Sequence, residues 1–374
     1  MKAKKYTRRI LIILSMLLVV CIVLTVSQEY LFVLDDHNAW RIKGFYLEEQ
    51  DSLDVVFMGQ SDVYSGIIPG KLFEKYGITS YDYATASQVN LWKSQIKEIM
   101  AHQTPKYIII EINGVVYGDD TEMDDSLGLR TYFDGMPMSI NKVETLFNQN
   151  LNEEPISYYF PIFKYHGEIK NAKNTLRESL YYKKQGFAAL RGVNTQTQID
   201  NNTVILDVDY SKQLPLTSRR ESFLIDFLEY CKSNGINNVI FTRFPHKIMR
   251  EEMVERAYRG NQAEKIIENY GFDFINLERD YEKAGISFET DFYNDDHLNI
   301  YGAQKLTDYW GKLLSENYSV TPRDLSKQQE LEWNYTVDYT NKFLQKAEER
   351  INKGIRGAFY ENASLKEVLY NKAS

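Results

Sequence analysis

Cysteine is almost absent from this chain of 374 residues, which contains only Cys21 and Cys231. Cys21 lies inside an apolar run, so Cys231 has no intramolecular partner and a disulfide framework is excluded. We expect Cys231 to be a small buried hydrophobic residue. The sequence also lacks His-x-His, a cysteine cluster, His-Glu-x-x-His and a glycine-rich phosphate loop. We therefore expect neither a metal site nor a nucleotide cofactor.

The first nine residues carry a net positive charge, and the rest of the chain carries a net negative charge. The first nine residues contain five cations and no acid, so the overall net charge of −8 becomes −13 over the remainder. An acidic body argues against nucleic acid as a partner, because phosphate binding requires a basic surface.

Residues 10–28 carry no charge and consist mostly of Leu, Ile and Val. This run is long enough to span a bilayer as a helix. The cations of residues 1–9 predict a cytoplasmic N-terminus and an extracellular body. A cleaved signal peptide is the alternative, although no small-x-small cleavage site follows the run. We expect an uncleaved single-pass anchor, followed by a stalk over residues 29–50.

Residues 51–325 alternate between apolar runs and helical patterns. Strands are predicted at Leu53–Met58, Ile78–Tyr83, Lys106–Ile112, Asn238–Thr242 and Phe272–Asn276. Helices are predicted at Leu72–Tyr76, Gln88–Ala101, from Ser218 (which has capping-box spacing to Glu221) to Gly235, and at Tyr301–Leu314. This alternation predicts an α/β domain whose parallel sheet is covered by helices on both faces.

Two segments depart from this alternation. Residues 115–216 are rich in Tyr, Phe, Asn and Asp, and an insertion of this length is usually functional or a subdomain. We interpret it as an aromatic cap over an active site. Residues 326–374 are polar and prone to form helices, so we expect a C-terminal helical tail, in which residues such as Trp333 and Leu344 recur at helical spacing and indicate packing.

Ser61 and His297 are the residues most suggestive of chemistry. Ser61 follows an apolar run that stops at Gly59, which is typical of a strand delivering a serine into a tight turn at a sheet edge. His297 directly precedes the last predicted helix. A serine hydroxyl becomes a good nucleophile when a base removes its proton, and His is the usual base near neutral pH. An ordinary turn serine and a helix-capping histidine are the alternatives.

Both motifs resemble those of a known family. Gly59-Gln60-Ser61-Asp62 resembles the first sequence block of SGNH (GDSL-like) hydrolases, and Asp296-His297 before the last helix resembles their final block. Residues 54–83 are similar to membrane-anchored, SGNH-like proteins of Gram-positive bacteria. The resemblance extends over residues 50–318 and implies a flavodoxin-like sheet, with Ser61 as the nucleophile and His297 as its base.

The third member of a catalytic triad is less well matched. The resemblance implies an Asp three residues before His297, but Asn294 occupies that position. A carboxylate is expected there because it holds the imidazole tautomer and stabilises the imidazolium. We expect Asp295 to substitute as the orienting acid; alternatively, Asp295 and Asp296 cap the next helix, whose N-terminus favours negative charge.

The resemblance also implies an oxyanion hole formed by the N–H of Ser61, a Gly after the second strand and an Asn after the third. Asn113 matches the Asn, although Asn before Gly is also a common turn residue. Ala84 occupies the Gly position, and its backbone N–H could still donate. Side chains of Ser87 or Gln88 could contribute instead.

Three further residues are expected to bind substrate. Arg243 and His246 follow the fourth predicted strand at the sheet edge where ligands bind in α/β folds, and Gln88 follows the second. His246 is also the alternative candidate for the catalytic base.

These features together predict an extracytoplasmic serine-dependent O-acyltransferase or acylesterase that acts on cell-envelope polysaccharide or another glycopolymer. The resemblance further implies a membrane-bound O-acyltransferase as a partner that exports the acyl group. Two alternatives remain open. The first is a catalytically inactive SGNH-like scaffold that binds glycan or a partner protein, and the second is a structural envelope protein that assembles through its C-terminal helices.

Overall fold

The computed structural model describes residues 2–31, 37–86, 90–124, 126–149, 151 and 153–370. The strands are β1 (Val55–Gly59), β2 (Ser80–Ala84), β3 (Tyr107–Glu111), β4 (Asn194–Gln196), β5 (Val239–Arg243), β6 (Asp273–Asn276) and β7 (Ala358–Tyr360). The helices are α1 (Lys2–Leu31), α2 (His37–Phe45), α3 (Ser61–Gly66), α4 (Pro69–Tyr76), α5 (Trp92–His102), α6 (Ser126–Gly135), α7 (Ile140–Phe147), α8 (Ile156–Tyr159), α9 (Ile162–Tyr165), α10 (Ala172–Gln185), α11 (Ser218–Ser233), α12 (Glu251–Asn269), α13 (Ile300–Glu316), α14 (Lys327–Asn352) and α15 (Ala363–Tyr370). Short 3-10 helices cover Asn113–Val115, Thr121–Asp124, His166–Asn171 and Tyr281–Ala284.

A five-stranded parallel sheet forms the centre of the fold, in the order β2-β1-β3-β5-β6. Counted along this sheet alone, the order is 2-1-3-4-5, that of flavodoxin-like sheets. The prediction of an α/β fold with a parallel sheet flanked by helices is confirmed. The five predicted strands all form, each within two residues of its expected start and end.

Both faces of the sheet are buried, because successive strand residues point to opposite sides. Val56 and Met58 pack on the same face as α2, α5 and α11, whereas Val55 and Phe57 pack on the other face with α3, α4 and α13. Such two-sided burial explains why the strands are continuous apolar runs rather than alternating ones.

Residues 37–45 differ from the predicted stalk. They form α2, whose Trp40, Ile42 and Phe45 are buried in the core. The other residues of α2 are polar or small. The composition of this segment, taken alone, therefore resembles that of an exposed linker. One helix cap also differs from expectation: Thr217, and not Ser218, caps α11 by accepting a hydrogen bond from the backbone N–H of Arg220.

The insertion is largely helical and packs beside the sheet. Helix α6 lies against α2, and α7 lies against α5, so Tyr132, Phe133 and Tyr158 extend the core on that face. Residues 197–202 instead run past the loop that carries His297, where the Gln198 side chain donates to the carbonyl of Tyr293 at 2.6 Å. These residues of the insertion therefore contact the loop that carries His297.

The C-terminal segment is helical as expected, but it is built into the domain. Helix α14 packs on α4, and β7 pairs with β4 of the insertion in an antiparallel ladder. The buried carboxylate of Glu361 accepts hydrogen bonds from the backbone N–H groups of Ala189 and Leu190, both at 2.8 Å. The C-terminal segment therefore contacts both the insertion, through β4 and residues 189–190, and helix α4.

Helix α1 contains a stretch, Tyr6–Ser27, that is long and apolar enough to cross a membrane. Its side chains in this stretch are not buried against the rest of the chain, as expected for a helix whose apolar surface is covered by lipid. The structure thus supports an N-terminal helix that could anchor the protein in a membrane.

Replacing Phe343 with Ala tests whether α14 belongs to the folded unit. Phe343 is fully buried and stacks on Phe359 of β7 with ring centroids 4.7 Å apart. We expect Phe343→Ala to lower the free energy of unfolding by about 3–5 kcal/mol, because truncation loses apolar burial and leaves a cavity. The measurement is equilibrium unfolding of the full chain in detergent micelles.

Leu331 provides the matched control on the same helix, since its side chain is 59% exposed. Leu331→Ala should change the unfolding free energy by no more than about 0.5 kcal/mol. Equal stabilities for the two variants would show that α14 does not contribute to the core.

Candidate functional site

The turn between β1 and α3 brings Ser61 to the carboxyl edge of the sheet. Gly59, the last residue of β1, has φ = +155°. A Cβ atom there would lie 2.9 Å from Val63 Cγ2 and 3.0 Å from Glu111 Cβ, so only glycine fits. Ser61 is the first residue of α3, and its backbone N–H therefore has no acceptor within the helix.

A short loop brings His297 to the serine. An isolated antiparallel bridge joins Phe292 to Leu298, and the N–H of Tyr293 donates to the carbonyl of His297 at 3.0 Å. Asn299 then caps α13 with its side chain. In this loop His297 Nε2 lies 2.6 Å from Ser61 Oγ, so the structure brings the two predicted residues together.

Asn294 orients the imidazole of His297. Its Oδ1 lies 2.9 Å from His297 Nδ1, and the same oxygen accepts the backbone N–H groups of Asp296 and His297. Because an amide oxygen only accepts, this contact assigns the proton of the neutral imidazole to Nδ1 and leaves Nε2 free to accept from Ser61. Asn294 stands where the family resemblance implies an Asp, and it nevertheless holds the tautomer of His297.

Asp295 does not take the place predicted for it. Its carboxylate forms an ion pair with Arg250 at 2.8 Å, and the contact with the imidazole Nδ1 is made by Asn294. Asp296 is paired with Arg256 at 3.2 Å. The loop backbone explains why Asn294 and not Asp295 reaches His297. Phe292 is bridged to Leu298, and the backbone N–H of Lys247 donates to the Asp295 carbonyl. Together these contacts turn residue 294 towards His297.

A buried polar network lies directly beneath Ser61. Asp62 Oδ1 accepts from His246 Nε2 at 2.9 Å, and His246 Nδ1 lies 2.8 Å from Glu278 Oε2. Arg243 binds the same Glu278 oxygen at 2.6 Å and donates to Asn113 Oδ1 at 3.0 Å. The network is assembled from the carboxyl ends of β3, β5 and β6 and from the first turn of α3, because the carboxyl ends of parallel strands meet at one edge of a sheet.

Glu111 completes this network from the end of β3. Its Oε2 accepts the backbone N–H of Asn113 at 2.8 Å. Asn113 in turn directs its amide nitrogen to Asp62 at 3.3 Å. Glu111 therefore fixes the backbone of the residue that connects the network to α3.

The network separates the protonation states of its acids. Burial raises the pKa of Asp62, but the hydrogen bond and charge of His246 outweigh burial and lower it to about 2. Burial lowers the pKa of His246, yet hydrogen bonds to Asp62 and Glu278 raise it to about 10. Burial raises the pKa of Glu111, and the charge of Asp62 raises it further, to about 8. At neutral pH Asp62 is thus ionised, His246 is an imidazolium, and Glu111 is protonated.

The pKa of His297 is lowered, chiefly by burial, and the strongest opposing effect is the charge of Asp62. A lowered pKa keeps the imidazole neutral, as a general base requires at neutral pH. The ring of Tyr293 stacks on the imidazole with centroids 5.1 Å apart and an interplanar angle of 3°, so the plane of His297 is held by packing as well as by Asn294.

Two residues predicted to bind substrate are part of the buried network instead. Arg243 and His246 are 1% and 2% exposed, and their polar atoms contact Asn113, Asp62 and Glu278. Arg243 ends β5 and His246 follows it at the carboxyl edge of the sheet, but their side chains lie in the network beneath the serine. Gln88, with Ser87, lies outside the described residues.

The predicted oxyanion-hole residues lie around the serine turn. Ala84 ends β2 and is paired in register with Gly59, and its carbonyl accepts from Arg41 at 3.4 Å. Asn113 is 2% exposed and its amide nitrogen faces Asp62. Both residues flank the turn that holds Ser61. The N–H of Thr85 donates to the Gly59 carbonyl at 3.2 Å, so alternation along β2 directs the N–H of Ala84 away from β1.

An open groove with a volume of about 570 Å³ adjoins residues 292–298, the loop that carries His297 and is called the histidine loop below. The residues that line it are mainly polar: Gln198, Asp200, Asn201, Asn202, Tyr293, Asn294, Asp295 and Arg356, with Ile199 and Met249. Arg356 belongs to the C-terminal segment, which therefore contributes to the surroundings of the site. Across the described part of the chain, no group of three or more His, Cys, Asp or Glu residues is arranged to hold a metal ion.

Sequence reasoning missed Asp62, Glu111 and Glu278. One signal was available for Glu111, which is a single acid inside the otherwise apolar β3 and is 1% exposed. A carboxyl group in such a strand must find partners or stay protonated. Asp62 and Glu278 carry no such signal, because each stands in a polar turn whose neighbours in space are remote in sequence.

No model of a known protein family matches the chain, and a search of curated proteins found no significant relative.

Glu111 gives the unfolding free energy a specific pH dependence. Its pKa is 4.5 ordinarily and about 8 in the fold, so between these values the folded state binds more protons than the unfolded state, and stability falls as pH rises. Glu111→Gln removes this titration while keeping the neutral shape. We expect the wild type to lose stability relative to Glu111→Gln by on the order of 1 kcal/mol per pH unit between pH 5 and pH 8.

The comparison needs unfolding free energies of both full-length proteins at several pH values in that range. Taking the difference between them cancels the titration of His246, which is common to both. A difference that stays constant with pH would mean that Glu111 is ionised in the fold.

Proposed function

We propose that the protein is a serine-dependent O-acyltransferase or acylesterase of the SGNH type. The observation that carries the proposal is the 2.6 Å contact between Ser61 Oγ and His297 Nε2, with Asn294 on the other imidazole nitrogen. A nucleophile, a base and an orienting group in this order are the arrangement of serine acyl transfer.

The proposed reaction proceeds in two halves. Ser61 Oγ attacks the acyl carbonyl while its proton moves to His297 Nε2, and the C–O bond to the leaving alcohol breaks as the imidazolium returns that proton to the alcohol oxygen. A sugar hydroxyl or water then gives its proton to His297 and attacks the acyl-serine. The bond to Ser61 breaks, and the serine oxygen takes the proton back.

The oxyanion of each tetrahedral intermediate needs donors aimed at it. The N–H of Ser61 has no intrahelical acceptor, because Ser61 begins α3. The Asn113 amide is the further donor in this proposal, because the N–H of Ala84 points away from β1. The Asn113 amide is held by Arg243 on its oxygen side, which orients its nitrogen towards the serine turn.

The proposed substrate is a cell-envelope polysaccharide or other glycopolymer. Two observations support this choice. The apolar stretch of α1 could anchor the protein in a membrane, and the groove beside His297 is lined by amide, carboxylate and guanidinium groups that suit sugar hydroxyls. With the cations of residues 1–9 in the cytoplasm, the domain lies outside the cell. A membrane-bound O-acyltransferase is then the proposed source of the acyl group.

Ser61 should form a covalent adduct with a fluorophosphonate. We expect one adduct by intact mass on the full chain in detergent micelles, and none on Ser61→Ala or His297→Ala, because attack needs both the hydroxyl and its base. The rate of labelling should remain high to below pH 6.5, since the pKa of His297 is lowered from 6.5.

Ser233→Ala is the matched control, because Ser233 is exposed at the end of α11 and far along the chain from the site. It should be labelled like the wild type. An unlabelled wild type, under conditions that label a known serine hydrolase, would favour the alternative of a scaffold that binds glycan or a partner protein.

The proposed orientation predicts which cysteine substitutions are accessible in intact cells. Ser233→Cys should react with a membrane-impermeant maleimide, whereas Lys4→Cys should react only after lysis. The wild type is the background control, because Cys231 is buried and Cys21 lies in the apolar stretch. Labelling of Lys4→Cys but not Ser233→Cys in intact cells would reverse the topology.

A further inference from the structure

The histidine loop separates two tasks that a triad carboxylate normally performs together. That carboxylate holds the imidazole tautomer and stabilises the positive charge that appears when the serine proton arrives. Asn294 performs the first task through its contact with Nδ1. A neutral amide cannot perform the second, so the charge must be balanced by another group.

The charged groups around His297 come from three elements. Asp295 and Asp296 lie on its own loop, Asp62 on α3, and His246 after β5. Asp295 and Asp296 are each paired with an arginine, and their side chains are 22% and 23% exposed, so solvent and the partner cations screen them. By contrast, the Asp62 side chain is only 3% exposed, and Asp62 directly follows the nucleophile Ser61 in the chain.

We propose that Asp62 supplies the negative charge that stabilises the His297 imidazolium, in place of a carboxylate bound to Nδ1. Asp62 acts through space and makes no hydrogen bond to the imidazole, so it is a positioning and electrostatic residue. The inference deepens the proposed function and rests on it, because it assumes that His297 is the base for Ser61.

The network beneath the site keeps Asp62 available for this role. His246 donates to Asp62 through Nε2, while its Nδ1 contacts Glu278. The Asn113 side chain donates a second hydrogen bond to Asp62. Hydrogen bonds to the charged form keep a buried carboxylate ionised. The charge of His246 lowers the pKa of His297 and that of Asp62 raises it, and the effect of Asp62 is the larger of the two.

The test is the pH dependence of ester hydrolysis by the full chain in detergent micelles, with p-nitrophenyl acetate as the probe. The acidic limb of kcat/KM reports the pKa of the free base. Asp62→Asn should move this limb to lower pH by about 1 unit and reduce kcat/KM at its plateau by about tenfold or more. Asp308→Asn, which removes an exposed acid on α13 paired with Lys75, should leave the profile unchanged.

His246→Gln should move the same limb in the opposite direction. Glutamine can still donate to Asp62, but it removes the positive charge that lowers the pKa of His297. A purely structural role for the network would weaken activity in both variants without shifting the limb in opposite senses. Shifts of the same sign, or none, would overturn the proposal.

Asn294→Asp provides the rescue. Three N–H donors converge on Asn294 Oδ1, so a carboxylate fits there and would place charge on Nδ1. In the Asp62→Asn background, Asn294→Asp should recover most of the tenfold loss, although it adds no contact to Asp62. Failure to recover activity in a double variant that unfolds at the wild-type temperature would contradict the inference.

Fluorophosphonate labelling separates this inference from the proposed function. If the wild type is not labelled at Ser61, the proposed function fails. If the wild type is labelled and Asp62→Asn reacts at the wild-type rate across the pH range, the serine is activated without Asp62, and only the inference fails.

Discussion

The ion pair between Asp62 and His246 is the interaction on which the arrangement of the site depends. It connects the first turn of α3, which carries Ser61, to the end of β5, and Glu278 continues the connection to β6. A buried charge without a partner costs several kcal/mol, so each member of this network requires the others. The position of the serine relative to the sheet is therefore fixed by electrostatics as well as by packing.

The sequence was sufficient to predict the sheet because its strands are buried on both faces. Continuous apolar runs, such as residues 107–110 of β3, identify such strands without knowledge of their neighbours. The role of residues 37–45 was not predictable in this way, since Trp40 and Phe45 become core residues only when α6 and the sheet are in place. The same limit applies to β4 and β7, which pair across more than 150 residues.

In the candidate site too, residues in local sequence patterns were predictable, and residues placed by distant parts of the chain were not. Ser61 and His297 were found because each stands in a local pattern, a strand end with glycine or the start of a helix. Asn294 is a poor candidate on sequence grounds, because spacing shows a residue type but not which atom faces the imidazole. Asp295 was preferred for its charge, yet the bridge between Phe292 and Leu298 directs it towards Arg250.

Charge balance explains why this network has almost no local signature in the sequence, Glu111 being the exception. Asp62 and Glu278 are matched by His246 and Arg243, and Glu111 remains neutral by holding its proton. The balance is satisfied by residues from four separate segments. Apart from Glu111 at the end of the apolar β3, each of them stands in an ordinary polar turn. Since removal of any one charge leaves another uncompensated in the interior, these positions must be occupied jointly, and the site is a property of the sheet edge rather than of any single motif.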